Sequence, residues 1–401
     1  MHPPGRRAGR RIDTILLHRS NEKPYRSFLQ RVSHKPCQRF RRWPKEVNLR
    51  PLGSKDRRLA GFPTSHGHTT HPGQDGLSDL LQFGSNPGEL RARTYTPDGL
   101  PHSAALVVVL HGCTQTAAGY DYGSGWSSLA DRHGFALLFP EQQRSNNPNL
   151  CFNWFRPGDC RRGGGEPLSI RQMIESFVMS HDIDRRRIFV TGLSAGGAMT
   201  SVMLATYPDV FAGGAIIAGL PYGCAKTIPE AFDRMKGNGL TNGDGLVRGA
   251  SGHDGPWPIV SVWHGSADQT VHPDNAEAIL RQWRLVHGLE EEPTRTELIG
   301  TYPHRTWCDG NGRAVIEMYS ITGMAHGTPL ATHGSDGCGA RGPNMLEANI
   351  SSTRRIAEFW GLTASLHKDT AQETSGQSWG HGIANIQQTI TNALRAAGLI
   401  K

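Results

Sequence analysis

The chain has 401 residues, of which 37% are hydrophobic and 19% charged, a composition that supports one large folded domain with appendages and excludes wholesale disorder. Its net charge of +8 is uneven, because residues 1–60 hold 17 Lys and Arg against 4 Asp and Glu, whereas the remainder holds 26 against 31. The net positive charge of the chain therefore comes from its first 60 residues and not from residues 61–401. No run of 18 apolar residues occurs, which argues against a membrane-spanning helix.

The first 60 residues are rich in Arg and lack hydrophobic periodicity, and residues 61–80 have the Gly, His and Pro content of a linker. We expect residues 1–83 to form an extension and linker without fixed structure. A nucleic-acid or anionic-surface arm is the alternative, although no nucleic-acid motif accompanies the charge. The opening residues also lack the apolar stretch of a secretory signal.

From about residue 90, short apolar runs alternate with helical patterns. The run AALVVVL at residues 104–110 is typical of a strand buried on both faces. The other predicted strands are 91–96 at an edge, 135–139, 187–190, 211–218, 258–263 and 315–321. The predicted helices are 168–181, 195–206, 275–286, 350–360 and 386–399. This alternation predicts an α/β fold, a mostly parallel sheet with helices on both faces, over residues 84–362, followed by a linker and helix over 363–401.

A G-x-S-x-G motif follows the predicted strand 187–190 and opens the helix 195–206, with Ser194 at its centre. Chance alone produces the bare motif often, but the strand–turn–helix context is that of a serine nucleophile on a sharp turn. The alternative is a Gly-rich turn with an ordinary capping serine. We favour the nucleophile, placed at a helix N-terminus that stabilises negative charge.

A serine nucleophile needs a base, and in this fold the acid and then the histidine follow the serine along the chain. Asp268 comes directly after a predicted strand, whereas Asp274 more simply caps the next helix. For the base we favour His326, which lies between glycines after the last strand. The competing histidines are His264, His272, His304 and His333.

The developing oxyanion requires two donors. The backbone N–H of Ala195, directly after the nucleophile, is the first candidate. The second is the N–H of Cys113 in the loop after the strand 104–110, with Gly112 as the alternative. His111 is read as a residue that shapes this loop, and Cys113 has no base that would make it a nucleophile.

Seven cysteines occur without any C-x-x-C pair, which excludes zinc-ribbon and thioredoxin-like patterns. Cys151 and Cys160 are spaced to close a short loop. Cys338 is a candidate partner of Cys308 or Cys224. The sequence leaves these pairings open.

These motifs resemble the poly(3-hydroxybutyrate) depolymerase-type esterases, an α/β-hydrolase family related to feruloyl and acetylxylan esterases. The resemblance covers roughly residues 84–362. It rests on VLHGCTQ at 109–115, FPEQ at 139–142, CFNWF at 151–155, GLSAGG at 192–197, PYGC at 221–224, VWHGSAD at 262–268 and GMAHGTP at 323–329.

The resemblance implies a serine carboxylesterase that hydrolyses poly- or oligo-3-hydroxybutyrate-type esters, or related short acyl esters, through an acyl-enzyme. Ser194, Asp268 and His326 would form its catalytic triad, with no metal or organic cofactor. A feruloyl or acetylxylan esterase is the alternative within enzymes. A non-catalytic hydrolase-fold binding protein with a basic arm is the alternative of another class.

Aromatic residues concentrate in the loops after the early strands, where they either line a substrate crevice or pack the loops. They are Tyr120, Tyr122, Trp126, Phe152, Trp154 and Phe155. Gln115, Asn153 and Trp154 are the candidate substrate-binding residues. We expect an ester substrate, no membrane and no nucleic-acid partner, with the basic first 60 residues leaving the last point open. The resemblance implies an extracellular protein, and the absence of a visible signal makes the cytoplasm the alternative.

Overall fold

The computed structural model describes residues 76–240, 243, 245–334 and 337–363. The predicted arm over residues 1–60 and the predicted helix 386–399 lie outside them. The strands are β1 Ser78–Asp79, β2 Arg91–Tyr95, β3 Ala104–Leu110, β4 Ala136–Glu141, β5 Ile183–Leu193, β6 Gly213–Ile217, β7 Ile259–Gly265, β8 Arg295–Ile299, β9 Tyr302–Cys308, β10 Ala314–Ile321, β11 Thr328–Leu330 and β12 Met345–Glu347. The helices are α1 Ala117–Ser124, α2 Trp126–His133, α3 Gly165–Ser180, α4 Ala195–Thr206, α5 Ile228–Met235, α6 Leu246–Ser251, α7 Asp274–His287 and α8 Ser352–Phe359, with a 3₁₀ turn at Pro157–Asp159.

Ten of these strands form one sheet in the order β1-β2-β4-β3-β5-β6-β7-β10-β9-β8. The six strands from β4 to β10 in this order are parallel, and the pairs at both ends of the sheet are antiparallel. The prediction of a mostly parallel α/β fold is confirmed. Because parallel strands end on the same edge, the loops after β3, β5, β7 and β10 open on one side of the molecule.

Burial in the core explains why the central strands could be predicted from continuous apolar runs in the sequence. All seven residues of β3 are buried, which requires cover on both faces of the sheet. Helix α4 is buried along its whole length and packs on β5 and β6, where its small residues allow a close approach. Within the described residues, no helix has both the length and the apolar character needed to cross a membrane.

Of the antiparallel strands at the two margins of the sheet, only β2 was predicted, as the edge strand 91–96, and the structure places the short strand β1 outside it. Strands β8 and β9 form a hairpin with a two-residue turn at Gly300, but β8 is almost entirely exposed and neither strand has a continuous apolar run. At the other margin β1 pairs with β2, and Leu77 beside it is buried. The sheet therefore begins before position 84, the residue at which the predicted α/β domain starts.

A close backbone crossing joins α1 and α2 to the chain between β11 and β12. Gly125 ends α1 with φ 76°, and a Cβ atom there would lie 2.3 Å from the backbone nitrogen of Gly339. A Cβ on Gly339 would lie 2.3 Å from the carbonyl oxygen of Gly123, which accepts the N–H of Ala340 at 3.0 Å. Only glycine fits both positions.

This crossing predicts a difference between two glycines of similar backbone conformation. Gly99 has φ 70° and open space around it, so Gly99→Ala is expected to cost only the left-handed penalty of about 1–2 kcal/mol. Gly125→Ala adds a backbone clash and is expected to cost roughly 2 kcal/mol more. Urea unfolding of both variants measures the difference, and equal losses would contradict the crossing.

Candidate active site

Ser194 occupies the sharp turn between β5 and α4. Its backbone has φ 57° and ψ −116°, a strained conformation for a residue with a side chain. A Cβ on Gly196 would lie 2.3 Å from the carbonyl oxygen of Leu110, and one on Gly192 would lie 2.5 Å from the carbonyl carbon of Gly196. The glycines of the motif are therefore required by close backbone packing, and they leave the half-buried Ser194 at the carboxyl edge of the sheet.

Asp268 and His326 are brought together at the same edge. The loop after β7 carries Asp268, whose Oδ2 accepts a hydrogen bond of 2.7 Å from Nδ1 of His326, in the loop after β10. Oδ1 of Asp268 accepts the backbone N–H groups of Thr270 and Val271, both at 2.9 Å. The carboxylate is fully buried and the imidazole is 11% exposed. An ionised carboxylate only accepts, so the His326 proton lies on Nδ1 and Nε2 is left for other chemistry.

His264 adds a further contact to this carboxylate that sequence reasoning had considered only as a competing base. Its Nε2 lies 2.8 Å from the carbonyl oxygen of Val271 and 3.4 Å from Oδ2 of Asp268. Burial raises the pKa of Asp268, but the hydrogen bonds from His264, His326 and Val271 outweigh that effect and hold its pKa below the ordinary range. The four-residue spacing of His264 and Asp268 in the segment WHGSAD was the feature of the sequence that could have indicated this contact.

Asp274, the rival acid, lies in the first turn of α7 with its side chain 65% exposed, and it pairs with Nδ1 of His272 at 3.3 Å. His304 lies in a separate buried cluster, where Nε2 is 3.1 Å from Glu317. Neither residue contacts His326 or Asp268 among the described contacts. The structure thus separates Asp274 and His304 from the pair that the sequence favoured.

The serine and the histidine belong to strands that are level with each other. Leu193, before the serine, pairs with Ile217, Ile217 pairs with Trp263, and Trp263 pairs with Tyr319. Strand β5 is two strand spacings from β7, which precedes Asp268, and three from β10, which precedes His326, or roughly 10 Å and 14 Å. Within the described residues the hydrogen bonds of Ser194 are made by its backbone, to Ile217 and Ala198.

The loop after β3 packs directly on the serine turn. A Cβ on Gly196 would lie 2.6 Å from the carbonyl oxygen of His111. Cys113, the predicted oxyanion donor, forms a disulfide with Cys151 across 38 positions of the chain. This bridge fastens the loop after β3 to the loop after β4.

None of the candidate cysteine pairings is formed among the described residues. Cys151 bonds to Cys113 and not to Cys160, because the loops after two adjacent strands meet at the same edge of the sheet. The remaining cysteines of the described residues are free: Cys160, Cys224, Cys308 and Cys338.

Asn153 cannot take its predicted role in substrate binding without moving, because it is fully buried. Its side-chain amide donates to Oε1 of Glu166 at 2.7 Å, and its Oδ1 accepts from Asn147 at 3.0 Å. The residue therefore braces the loop from within. The sequence gave no indication that the side-chain amide of Asn153 would be hydrogen-bonded to the buried carboxyl group of Glu166.

The other two candidate substrate residues are also engaged in the loops. Oε1 of Gln115 accepts the N–H of Gly112 at 2.9 Å, and its Nε2 lies 3.5 Å from the carbonyl oxygen of Pro343. Trp154 is 6% exposed and packs edge-on against Phe155. Of the six aromatic residues, four are buried in the core, Phe155 is partly buried and Tyr122 is 75% exposed; the buried ones are Tyr120, Trp126, Phe152 and Trp154.

Glu166 is the buried acid beneath these loops, and the sequence reasoning missed it. Its carboxylate accepts from the side chains of Gln142 at 2.7 Å, Asn146 at 3.2 Å and Asn153 at 2.7 Å, and from the backbone of Asn153 at 2.9 Å. Burial, with Asp159 nearby, raises the pKa of Glu166 to about 8 despite these donors. In the described residues no group of three or more His, Cys, Asp or Glu side chains is arranged to hold a metal ion.

Comparison with known proteins connects this geometry to a family. The family model described as Esterase PHB depolymerase matches residues 92–296. The chain belongs to this family. It is 47% identical over 291 residues to the poly(3-hydroxyalkanoate) depolymerase C of Paucimonas lemoignei, across 71% of this chain and 70% of that one. The chain is accordingly a carboxylic ester hydrolase of the α/β-hydrolase type.

Two further relatives carry other esterase names. Feruloyl esterase B of Neurospora crassa is 35% identical over 224 residues, across 53% of this chain and 76% of that one. The solved acetyl xylan esterase from Aspergillus awamori superposes with a TM-score of 0.61 at 26% identity, covering 72% of this chain and 99% of that chain. The α/β-hydrolase prediction and the resemblance to this esterase family are therefore confirmed.

The raised pKa of Glu166 predicts how stability depends on pH. Between about pH 4.5 and pH 8 the native state keeps a proton that the unfolded chain has released, so this contribution is fully present below pH 4.5 and lost as the pH rises through 8. Glu166→Gln should flatten that part of the slope, and it should lower stability overall because its amide faces other donors. Urea unfolding at several pH values tests this, and an unchanged slope would contradict it.

Proposed function

We propose that the chain hydrolyses poly- or oligo(3-hydroxyalkanoate)-type esters through an acyl-enzyme on Ser194, with His326 as the general base and Asp268 as its partner. The observation that carries the proposal is the partly buried 2.7 Å hydrogen bond between Asp268 and His326, at the edge of the sheet where the Ser194 turn lies. The N–H groups of Ala195 and Cys113 form the oxyanion hole.

The reaction begins when Oγ of Ser194 attacks the ester carbonyl carbon and Nε2 of His326 takes the hydroxyl proton. Asp268 stabilises the imidazolium through Nδ1. The two backbone donors hold the negative oxygen, and the N-terminus of α4 favours it further. The bond to the leaving alcohol then breaks as His326 returns the proton to the alcohol oxygen. Water attacks the acyl-enzyme by the same path, and Ser194 recovers its proton as the acid leaves.

The substrate class follows from the 47% identity to the depolymerase of Paucimonas lemoignei, which extends over 71% of the chain. A feruloyl or acetylxylan ester is the second candidate, favoured by the superposition with the acetyl xylan esterase from Aspergillus awamori. All of these substrates are hydrolysed by the same step, the attack of Ser194 on the carbonyl carbon of an ester. They differ in the acyl and alcohol groups that the loops must accept.

Substitution of the proposed triad tests the mechanism. Ser194→Ala should abolish hydrolysis of p-nitrophenyl butyrate and labelling by a fluorophosphonate while leaving the fold intact. Asp268→Asn should lower kcat by about 10⁴, as in a protease triad, because the imidazole loses its orienting acceptor. Asp274→Asn is the matched control and should keep near-normal kcat, because that carboxylate is exposed. A large loss in the Asp274 variant with none in the Asp268 variant would reassign the acid.

A substrate panel tests the substrate class. Purified protein is assayed in parallel on soluble 3-hydroxybutyrate oligomers, methyl ferulate and acetylated xylan. The proposal expects kcat/KM to be highest for the oligomers. Turnover of ferulate or acetylated xylan with none of the oligomers would establish the second candidate.

A further inference from the structure

The loops that carry Asp268 and His326 are joined by their backbones. A Cβ atom on Gly265 would lie 2.2 Å from the carbonyl oxygen of Met324, so the two loops touch where only glycine fits. The N–H of Ala267 donates to the same carbonyl at 3.0 Å. The two backbones are therefore fixed relative to each other, and the direction of the Asp268 side chain determines how the His326 ring is held.

The ring of His264 lies against this side chain and is buried, with 1% of the side chain exposed. Its Nε2 is 2.8 Å from the carbonyl oxygen of Val271 and 3.4 Å from Oδ2 of Asp268. A carbonyl and an ionised carboxylate only accept, so the ring carries its proton on Nε2 and shares it between the two oxygens. Nδ1 is buried and has no hydrogen-bond partner within the described residues. The ring nitrogens therefore contact only the acid and its turn.

Both oxygens of the Asp268 carboxylate are occupied. Oδ1 accepts the backbone N–H groups of Thr270 and Val271, both at 2.9 Å, and Oδ2 accepts from Nδ1 of His326 at 2.7 Å. The shared proton of His264 adds a second imidazole donor to Oδ2. Among the described contacts, the titratable groups that face this carboxylate are these two rings, from the end of β7 and from the loop after β10. His264 is thus the side chain that binds both the carboxylate and the turn behind it.

We propose that His264 is a positioning residue for Asp268: its Nε2–H bridges the Val271 carbonyl and Oδ2 of Asp268, and so sets the direction in which the carboxylate holds His326. This inference rests on the proposed function, in which Asp268 is the partner of the general base. Its own content is that a second, buried imidazole controls the catalytic step through the acid and does not take part in substrate binding.

Two substitutions separate the donor from the ring. Phenylalanine keeps the ring volume without a donor, and glutamine places an amide donor near the position of Nε2. His264→Phe should lower kcat for p-nitrophenyl butyrate roughly 10- to 100-fold with KM within about threefold, because a misdirected base slows the chemical step and not binding. His264→Gln should keep kcat within about threefold of wild type, since the bridging donor is restored.

The pH profile separates positioning from a general loss of structure. A protonated His326 cannot accept the proton of Ser194, so kcat/KM falls at low pH. Without the His264 donor, the Asp268 carboxylate attracts the positively charged His326 ring more strongly. The low-pH limb of His264→Phe should therefore move to higher pH than in wild type, whereas that of His264→Gln should stay in place. An unmoved limb in the phenylalanine variant would overturn the proposal.

A double-mutant cycle tests whether His264 acts through Asp268. In the Asp268→Asn background, His264→Phe should lower kcat by no more than about threefold, because the carboxylate that it directs is already gone. A loss as large as in the wild-type background would overturn the positioning role. Full kcat in His264→Phe, a loss confined to KM, or an equal loss in His264→Gln would also overturn it.

The matched control is His287→Phe. Nε2 of His287 also lies close to a carbonyl oxygen, that of Pro258 at 3.0 Å, but this carbonyl precedes β7 at the opposite edge of the sheet. The kcat of this variant should match wild type. A loss equal to that of His264→Phe would attribute the effect to packing in general and overturn the proposal.

Two further results separate the possible failures. If His264→Phe does not fold, ¹⁵N-histidine NMR of the wild-type protein reports the tautomer: a proton on Nε2 of His264 supports the proposal, and a proton on Nδ1 alone overturns it. If Asp268→Asn is fully active, the proposed function itself fails. If Asp268→Asn loses activity while His264→Phe is fully active, only the positioning role fails.

Discussion

The close packing of the serine turn against the loop after β3 is the constraint on which the site depends. Gly196 lies against the carbonyls of Leu110 and His111 with no room for a side chain. Ser194 accepts a left-handed conformation that costs about 1–3 kcal/mol, and its N–H is anchored on Ile217 at 2.9 Å. The buried helix behind it holds the strained residue in place. The turn that carries Ser194, the proposed nucleophile, and the loop after β3 thus form one packed unit.

Two buried carboxylates near this unit illustrate how environment decides charge. Asp268 faces two imidazole rings and backbone donors, so the ionised form is favoured. Glu166 faces only neutral amide donors and lies near Asp159, so the loss of water dominates. The first acid can stabilise a positive charge that appears during a reaction. The second fastens the loops that surround the site.

The sequence predicted the parts of the molecule that have strong local signals. The run at β3 is wholly buried, and the G-x-S-x-G turn joins β5 to α4 where expected. The choice of Asp268 and His326 rested on the order of serine, acid and histidine, on their places in loops after strands and on the glycines beside His326, and the structure joins the two side chains by a hydrogen bond. These inferences worked because parallel strands send their following loops to one edge, whatever the sequence distance between them.

Features that depend on contacts between residues distant in the chain could not be predicted from the sequence. The β8–β9 hairpin has too little apolar surface to give a strand pattern. The partner of Cys151 depends on which loops meet at the edge of the sheet, and the engagement of Asn153 depends on an acid 13 positions away. The sequence indicated that His111 shapes the loop after β3. It did not reveal which carbonyl the ring binds, which is that of Gly112 at 2.8 Å.

The disulfide between Cys113 and Cys151 also restricts the unfolded chain. It closes a ring across 38 positions, and in a chain-entropy account such a ring removes about 4 kcal/mol of conformational freedom from the unfolded chain at 25 °C. The loop after β3 and the loop after β4 therefore stay tethered when the oxidised protein unfolds. The search for their native pairing begins from a far smaller ensemble than two independent loops would explore.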